Sequence, residues 1–399
     1  MINSDTSIIL SQSFDQSHFD FYLVDANSNI VKHVSIPGQY IVKEFEILDN
    51  IIYFCGSFID VNSSCGFIAQ TKINRLFNNN LFDWDTIHGT SVINKIEVID
   101  ENGEAINTIV GIGLKPNGNS IFVNLPNGDG YSIYDSPITS EIFDDLLLKD
   151  WRAPNDTIFQ NILIVSRAYN TNTIVVRKFD MYNFNIANSQ NYIYPLSGIL
   201  NITAPYPLVA DSFFYKFIAV AGIVRNTNGS EETNVYQIDI TGPPNGSYFY
   251  MYQVQSFGNY NIGESTIRDI MFDGIDQYNY NLLVLEDAML QSNNLNAIYS
   301  LNMAPNNYAP YQADVFYSAL NGKFPFNRLS SSNYLNFIAT GSDPENNNIN
   351  IWNANRDLLG GNCNFLTPEP INLLNESQFT SNFWPIATLN VLPIGSMHC

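Results

Sequence analysis

The chain has 399 residues and carries 17 Lys and Arg against 38 Asp and Glu, a formal charge of −21. That balance excludes binding along a nucleic-acid phosphate backbone, which needs clustered basic side chains, and docking on an anionic membrane surface. It favours cations, or a basic patch on a protein partner. The hydrophobic share is 45%, enough for a large core, while charged residues make up only 14%, below the usual quarter or so. No apolar stretch approaches the roughly 18 residues of a spanning helix, so no membrane insertion is expected. No signal peptide is visible either, because the first residues lack a basic segment and the apolar run at 8–10 is short. A chain whose leader was removed and a chain never exported by that route both fit.

Taken in order, the predicted elements are short β-strands. Three come first, at 7–11, 19–24 and 30–36. The first repeat has an inner strand at 42–48, a tight turn at Asp49-Asn50, and strands at 51–58 and 65–73. Asx residues in such a turn tolerate left-handed backbone. The second repeat turns at Asp100-Glu-Asn-Gly103 and continues through 120–124 and 131–134. A short amphipathic helix is predicted at 141–149, inside a rim insertion near 135–156. Strands follow at 157–166 and 173–179, at 213–222 and 234–240, at 267–272, 281–285 and 296–301, and at 328–332, 334–340 and 348–352. Less regular outer strands fall at 247–255 and 313–318. A second rim insertion covers 353–382, and 383–393 is a last apolar strand.

One phrase returns through this pattern. An apolar run closes on a small residue, or once on Glu: Ile52-Tyr-Phe-Cys-Gly56, then Asn107-Thr-Ile-Val-Gly111, Ile162-Leu-Ile-Val-Ser166, Ile218-Ala-Val-Ala-Gly222, Leu282-Leu-Val-Leu-Glu286 and Phe337-Ile-Ala-Thr-Gly341. The closing positions step by 55, 55, 56, 64 and 55. A fixed period in an all-β pattern marks a propeller or related array. The expected fold is one domain over 1–399, a seven-bladed β-propeller; six or eight blades fit the same spacing. The ring closes when the N-terminal strands pair with the C-terminal strand, which removes free edges.

The first repeat carries a family likeness. Asp49-Asn-Ile-Ile-Tyr-Phe-Cys-Gly56, Cys65-Gly-Phe-Ile-Ala69 and Ile73-Asn-Arg-Leu-Phe77 resemble blades of propeller-like surface proteins of Gram-negative gut anaerobes. Tailed phages of such hosts carry similar Asn- and Tyr-rich chains. The resemblance implies a virion, extracellular or cell-surface setting and a role in attachment or assembly. It implies no catalytic residue.

Chemistry-bearing motifs are sparse. The histidines, His18, His33, His88 and His398, form no His-x-x-x-His pair, and no nucleophile elbow or phosphate loop is present. No metal ligand set is assigned. Asp25-Ala-Asn27-Ser-Asn29 has the alternate oxygens of a calcium loop but carries Ile30 and Ile36 where Gly and Glu belong. Asn127-Gly-Asp129-Gly and Asp343-Pro-Glu345-Asn are similar acidic turns, and all three read as solvated hairpin turns. A structural calcium has no assigned position, and no other cofactor is expected. Cys55 and Cys65 fall on adjacent strands, where a disulfide or two free thiols both fit; the cysteine density favours thiols.

Carboxylates on inner strands would converge on a propeller channel. Glu44 and Glu46 alternate onto one face, and Glu97, Asp211 and Asp269 take related places, with Lys95, Arg268 and Arg328 as partners. Such acids are channel walls or a glycosidase pair. Tyrosines are the stronger binding signal: Tyr248, Tyr250 and Tyr252 share one side of an outer strand, and Tyr308, Tyr311 and Tyr317 repeat the theme. The expected function is a non-enzymatic structural and binding platform, a phage tail or fibre-associated component or a host-attachment protein with protein partners. A surface glycan-binding propeller is the first alternative, and a propeller glycosidase or lyase the second.

Overall fold

The computed structural model describes residues 6–136, apart from 14, 26–29, 61–62, 80–81, 100–107 and 127–129, and the strands between 141 and 355. The chain is all-β, and its described strands form seven antiparallel sheets in sequence order. The first holds β1 (Thr6–Gln12), β2 (His18–Asp25) and β3 (Ile30–Pro37). The second holds β4 (Tyr40–Leu48), β5 (Ile51–Asp60), β6 (Ser63–Lys72) and β7 (Asp83–Ile87), with helix α1 (Ile73–Asn79) between the last two. The third is β8 (Val92–Ile99), β9 (Thr108–Leu114), β10 (Ser120–Leu125) and β11 (Ser132–Asp135). The fourth is β12 (Glu141–Arg152), β13 (Ile158–Ala168), β14 (Thr173–Asp180) and β15 (Gln190–Pro195).

In the fifth sheet β16 (Ile202–Pro205) and β17 (Val209–Phe213) share one edge of β18 (Phe217–Asn226), followed by β19 (Glu231–Asp239) and β20 (Phe249–Val254). The sixth is β21 (Thr266–Asp276), β22 (Asn279–Leu290), β23 (Asn293–Met303) and β24 (Ala313–Ser318). The seventh is β25 (Phe326–Asn333), β26 (Asn336–Asp343) and β27 (Asn348–Asn355). The three N-terminal strands form as expected. The C-terminal strand at 383–393, and with it the ring closure, lies outside the described residues, as does 356–382.

Residues 141–149 are strand, not helix. Their pattern, Glu-Ile-Phe-Asp-Asp-Leu-Leu-Leu, suits either period over so short a run. Tertiary burial decides: Phe143 and Leu146 pack with Ile99, Val110, Ile112, Phe122, Ile162 and Ile164 in one core. The segment is therefore the first strand of a sheet, and Glu141–Arg152 of the expected rim insertion near 135–156 belongs to the repeat.

The chain divides into two compact units that interleave in sequence. One is Met1–Leu148 with Asn161–Ile164 and Phe179–Ser189; the other is Lys149–Gln160, Val165–Lys178 and Gln190–Cys399. Within the first, successive sheets bury both faces. Phe19 and Phe21 of β2 meet Phe54 of β5, each with centroids 5.7 Å away, in the core between the first two sheets. Tyr53, Cys55 and Ile68 meet Ile93, Ile96 and Ile121 in the next. Alternation on each strand feeds two cores: Ile121 and Val123 face one way and Phe122 the other. Within the second unit the first strands are again neighbours, β17 beside β21 and β21 beside β25.

The repeat phrase has a geometric meaning. In β4 the register slips between Val42 and Glu44, a bulge at Lys43 opposite Gly56 and Cys55. The same slip occurs in β8 between Ile93 and Lys95, in β21 between Ile267 and Asp269, and in β25 between Phe326 and Arg328. These bulges sit opposite Gly113, Glu286 and Gly341. In the fifth sheet the break between β16 and β17 falls opposite Gly222. In these five repeats the closing residue of the phrase thus marks where the first strand bulges or breaks, with one correction: in the second repeat the counterpart of Gly56 is Gly113, not Gly111. A side chain at Gly56 would place Cβ 1.9 Å from the Ile41 carbonyl oxygen, and one at Gly113 would lie 2.2 Å from that of Val92.

The Asp49-Asn50 turn forms as the residues imply, with φ of 50° and 64°. Two left-handed residues in a two-residue loop match the twist of the flanking strands. Asn50→Val is expected to cost roughly 1–2 kcal/mol, the penalty of a branched side chain in that region, read as a lowered thermal midpoint.

Candidate functional site

The site grows from the bulges. Val42 faces the core against the first sheet, and so does Phe45, which meets Phe21 edge-on at 6.1 Å. An unbroken strand would send residues three apart to opposite faces. The extra residue Lys43 resets the alternation, so Glu44 and Glu46 turn forward to the third sheet. The same reset at Asn94 keeps Ile93, Ile96 and Val98 together in the rear core and turns Lys95 and Glu97 forward.

Glu44 and Glu46 meet the edge strand of the next sheet. A Glu44 carboxylate oxygen accepts the Ile96 N–H at 3.1 Å, and one of Glu46 accepts the Val98 N–H at 2.8 Å. β8 pairs only with β9 among the described strands, so these carboxylates satisfy donors that a further strand would otherwise take. Lys95, from the next first strand, forms an ion pair with Asp145 of β12, whose carboxylate also accepts the Leu146 N–H at 2.9 Å. Asp145 is 6% and Lys95 20% exposed at the side chain.

Five ionisable groups from three first strands therefore share one region, four carboxylates and one ammonium. Burial pushes Glu46 up to about 7; the Val98 N–H and Lys95 oppose that rise and Glu44 adds to it. Burial also raises Glu97 well above the ordinary carboxylate range, with Glu46, Glu44 and Asp145 reinforcing and Lys95 opposing. Burial of Lys95 favours the neutral amine, but Asp145, Glu44 and Glu97 together override it and hold the ammonium charged. Burial thus pushes two neighbouring carboxyls upward beside an ammonium, the pattern of a tuned acid or base.

The sequence singles out Glu44, Glu46, Glu97 and Lys95, and the structure brings them together. It misses Asp145, because a helix at 141–149 would not have placed that side chain on an inner strand. Its signal was the recurrence of a charged residue near the head of each first strand. Asp211 and Asp269 lie in the second unit, on the first strands β17 and β21; Asp269 accepts the Ile270 N–H at 3.0 Å, as Asp145 does from Leu146. Tyr250 and Tyr252 fall on β20 and Tyr317 on β24, each the last strand of its sheet. Tyr248, Tyr308 and Tyr311 lie outside the described residues. Cys55 and Cys65 are free thiols. Cys55 pairs with Ile68 and Cys65 with Phe58, so the register puts their side chains three residues apart on opposite faces, where no disulfide can close.

Two other polar groupings lie at the head of β2. Asp20, on β2, receives His33 Nε2 at 2.9 Å and His18 Nε2 at 3.4 Å. Ser17 Oγ lies 3.0 Å from His18 Nδ1, which suggests a nucleophile and base, but that hydroxyl gives its one proton to Asp15 at 2.7 Å and has none for the imidazole. Asp15 is held down to about 2 by Ser17, through its hydroxyl and its N–H, and by Ser13. Among the described residues no three His, Cys, Asp or Glu side chains are grouped so as to hold a metal ion. The acidic turns at 26–29, 127–129 and 344–347 lie outside the described residues. No protein-family model matches the chain, and a search of curated proteins finds no match.

Proposed function

We propose that the chain is a seven-bladed β-propeller serving as a non-enzymatic structural and binding platform in an extracellular assembly, most consistent with a phage tail or host-attachment component. The observation that carries this reading is the sequential series of antiparallel sheets with first strands side by side in each unit and Tyr-rich last strands at the sheet edges. A last strand offers N–H and C=O groups along its edge, and tyrosine offers a flat apolar face with a polar tip, both suited to a protein partner. The likeness of 49–77 to phage and surface-protein blades points the same way.

The test is size-exclusion chromatography with light scattering, alone and with the products of neighbouring genes. Self-assembly or stable co-elution is the expected result, weakened by Tyr250→Ser with Tyr252→Ser. A lone monomer under all of these conditions would overturn the assembly role. One feature favours a second reading, a propeller glycosidase or lyase: burial pushes up the carboxyls of Glu46 and Glu97 on neighbouring first strands. Cleavage of a glycan panel that Glu46→Gln abolishes in a folded protein would establish it over the first.

A further inference from the structure

Lys95 and Asp145 meet across two sheets. Lys95 stands on β8 and Asp145 on β12, the first strands of the third and fourth sheets. Lys95 Nζ lies against Asp145 Oδ1, and that same oxygen accepts the Leu146 N–H at 2.9 Å. The contact sets an amine nitrogen beside a carboxyl carbon, which is the proximity that bond formation between them needs. The N–H is already aimed at the oxygen that would gather charge during attack on that carbon. Both side chains are largely shielded from water, so the ion pair has lost the solvation that favours it over a neutral product. Glu97 stands two residues along the same face of β8, about 7 Å on by strand rise. Burial pushes its carboxyl well above the ordinary range, which suits a group that takes and returns a proton. Lys115 and Asp135 also pair, but at 29% and 55% exposure they keep their water.

We propose that Lys95 and Asp145 condense into an amide, a self-made covalent staple between β8 and β12. The ion pair is the state before the bond. The ammonium is charged at rest, so the step begins by passing one of its protons through Glu97 to Asp145 Oδ2. The freed Nζ lone pair then attacks Cγ, and charge gathers on Oδ1 under the Leu146 N–H. Nζ gives up a second proton by the same relay, the Cγ–Oδ2 bond breaks, and Oδ2 leaves as water. One ammonium and one carboxylate become one amide and one water. Charge is conserved, Glu97 ends as it began, and no oxidant or nucleotide is consumed. The bond would tie the third sheet to the fourth, which the ladders leave separate among the described strands.

The experiment is intact mass spectrometry of the full folded chain, followed by tryptic mapping. The mass is expected to fall one water below that of the sequence. The digest is expected to yield a branched species joining the peptides of Lys95 and Asp145, uncut after Lys95, while Lys115 is cut normally. Asp145→Ala is expected to restore the full mass. Glu97→Gln is expected to slow the appearance of the branched species by roughly 100-fold, the scale of a lost proton relay; an unchanged rate would refute that role. A full mass in the folded unaltered chain overturns the staple. So does a water loss mapped to one unbranched peptide, as an aspartyl succinimide would leave. If Asp145→Ala does not fold, fragmentation of the branched species from the unaltered chain decides: a link at Lys95 and Asp145 supports the staple, and a link at any other pair refutes it.

Discussion

Lys95→Met should remove about 3–5 kcal/mol of folding stability at neutral pH, the scale of a buried ion pair broken from one side. Asp145, only 6% exposed, then loses its ion-pair partner, and Glu44 loses a positive charge that attracts it. Methionine fills much of the same volume, so the loss reports charge more than packing. One feature separates this from simple core damage. The double variant Lys95→Met with Asp145→Asn should be more stable than the single one, because the neutral amide has no charge to strand. A single and double variant equally unstable would mean that the pair matters only as packing. Denaturant midpoints of the four members of this cycle supply the measurement.

Gly56→Ala is the second large effect, about 3 kcal/mol or more, at the upper end of overpacking because the clash is with backbone. The added Cβ would sit 1.9 Å from the Ile41 carbonyl oxygen, and no side-chain rotation can relieve that. The bulge at Lys43 must open, and with it the reset that turns Glu44 and Glu46 forward. Gly113→Ala should behave alike, with its contact at 2.2 Å to Val92, whereas at Gly111 the nearest atom would be 3.2 Å away and the cost should be smaller. The ranking Gly56 and Gly113 above Gly111, read from thermal or denaturant midpoints, tests the bulge alignment directly. Equal losses at Gly111 and Gly113 would refute it.

These two effects show where sequence and tertiary structure divide the work. Strand identity was legible because it is local: alternating apolar residues, Asx turns and an apolar phrase returning every 55 residues or so depend on neighbours in the chain. The Asp49-Asn50 turn, the three N-terminal strands and the shared face of Glu44 and Glu46 all came from that pattern alone. The helix expected at 141–149 failed because nine residues satisfy two periods, and only the apolar surface of the strands packed against it decides between them. The disulfide was open because cysteine spacing does not reveal register, and a register offset of three puts the two thiols on opposite faces. Gly111 was favoured over Gly113 because the phrase shows an apolar run and a small residue, not the carbonyl that crowds it. Asp145 joins the cluster only through that same strand assignment. The sequence by itself determined an all-β repeat with acids at the head of its first strands. The tertiary structure decided which acids share a seam, because bulges reset the alternation and burial then pushes Glu46 and Glu97 upward.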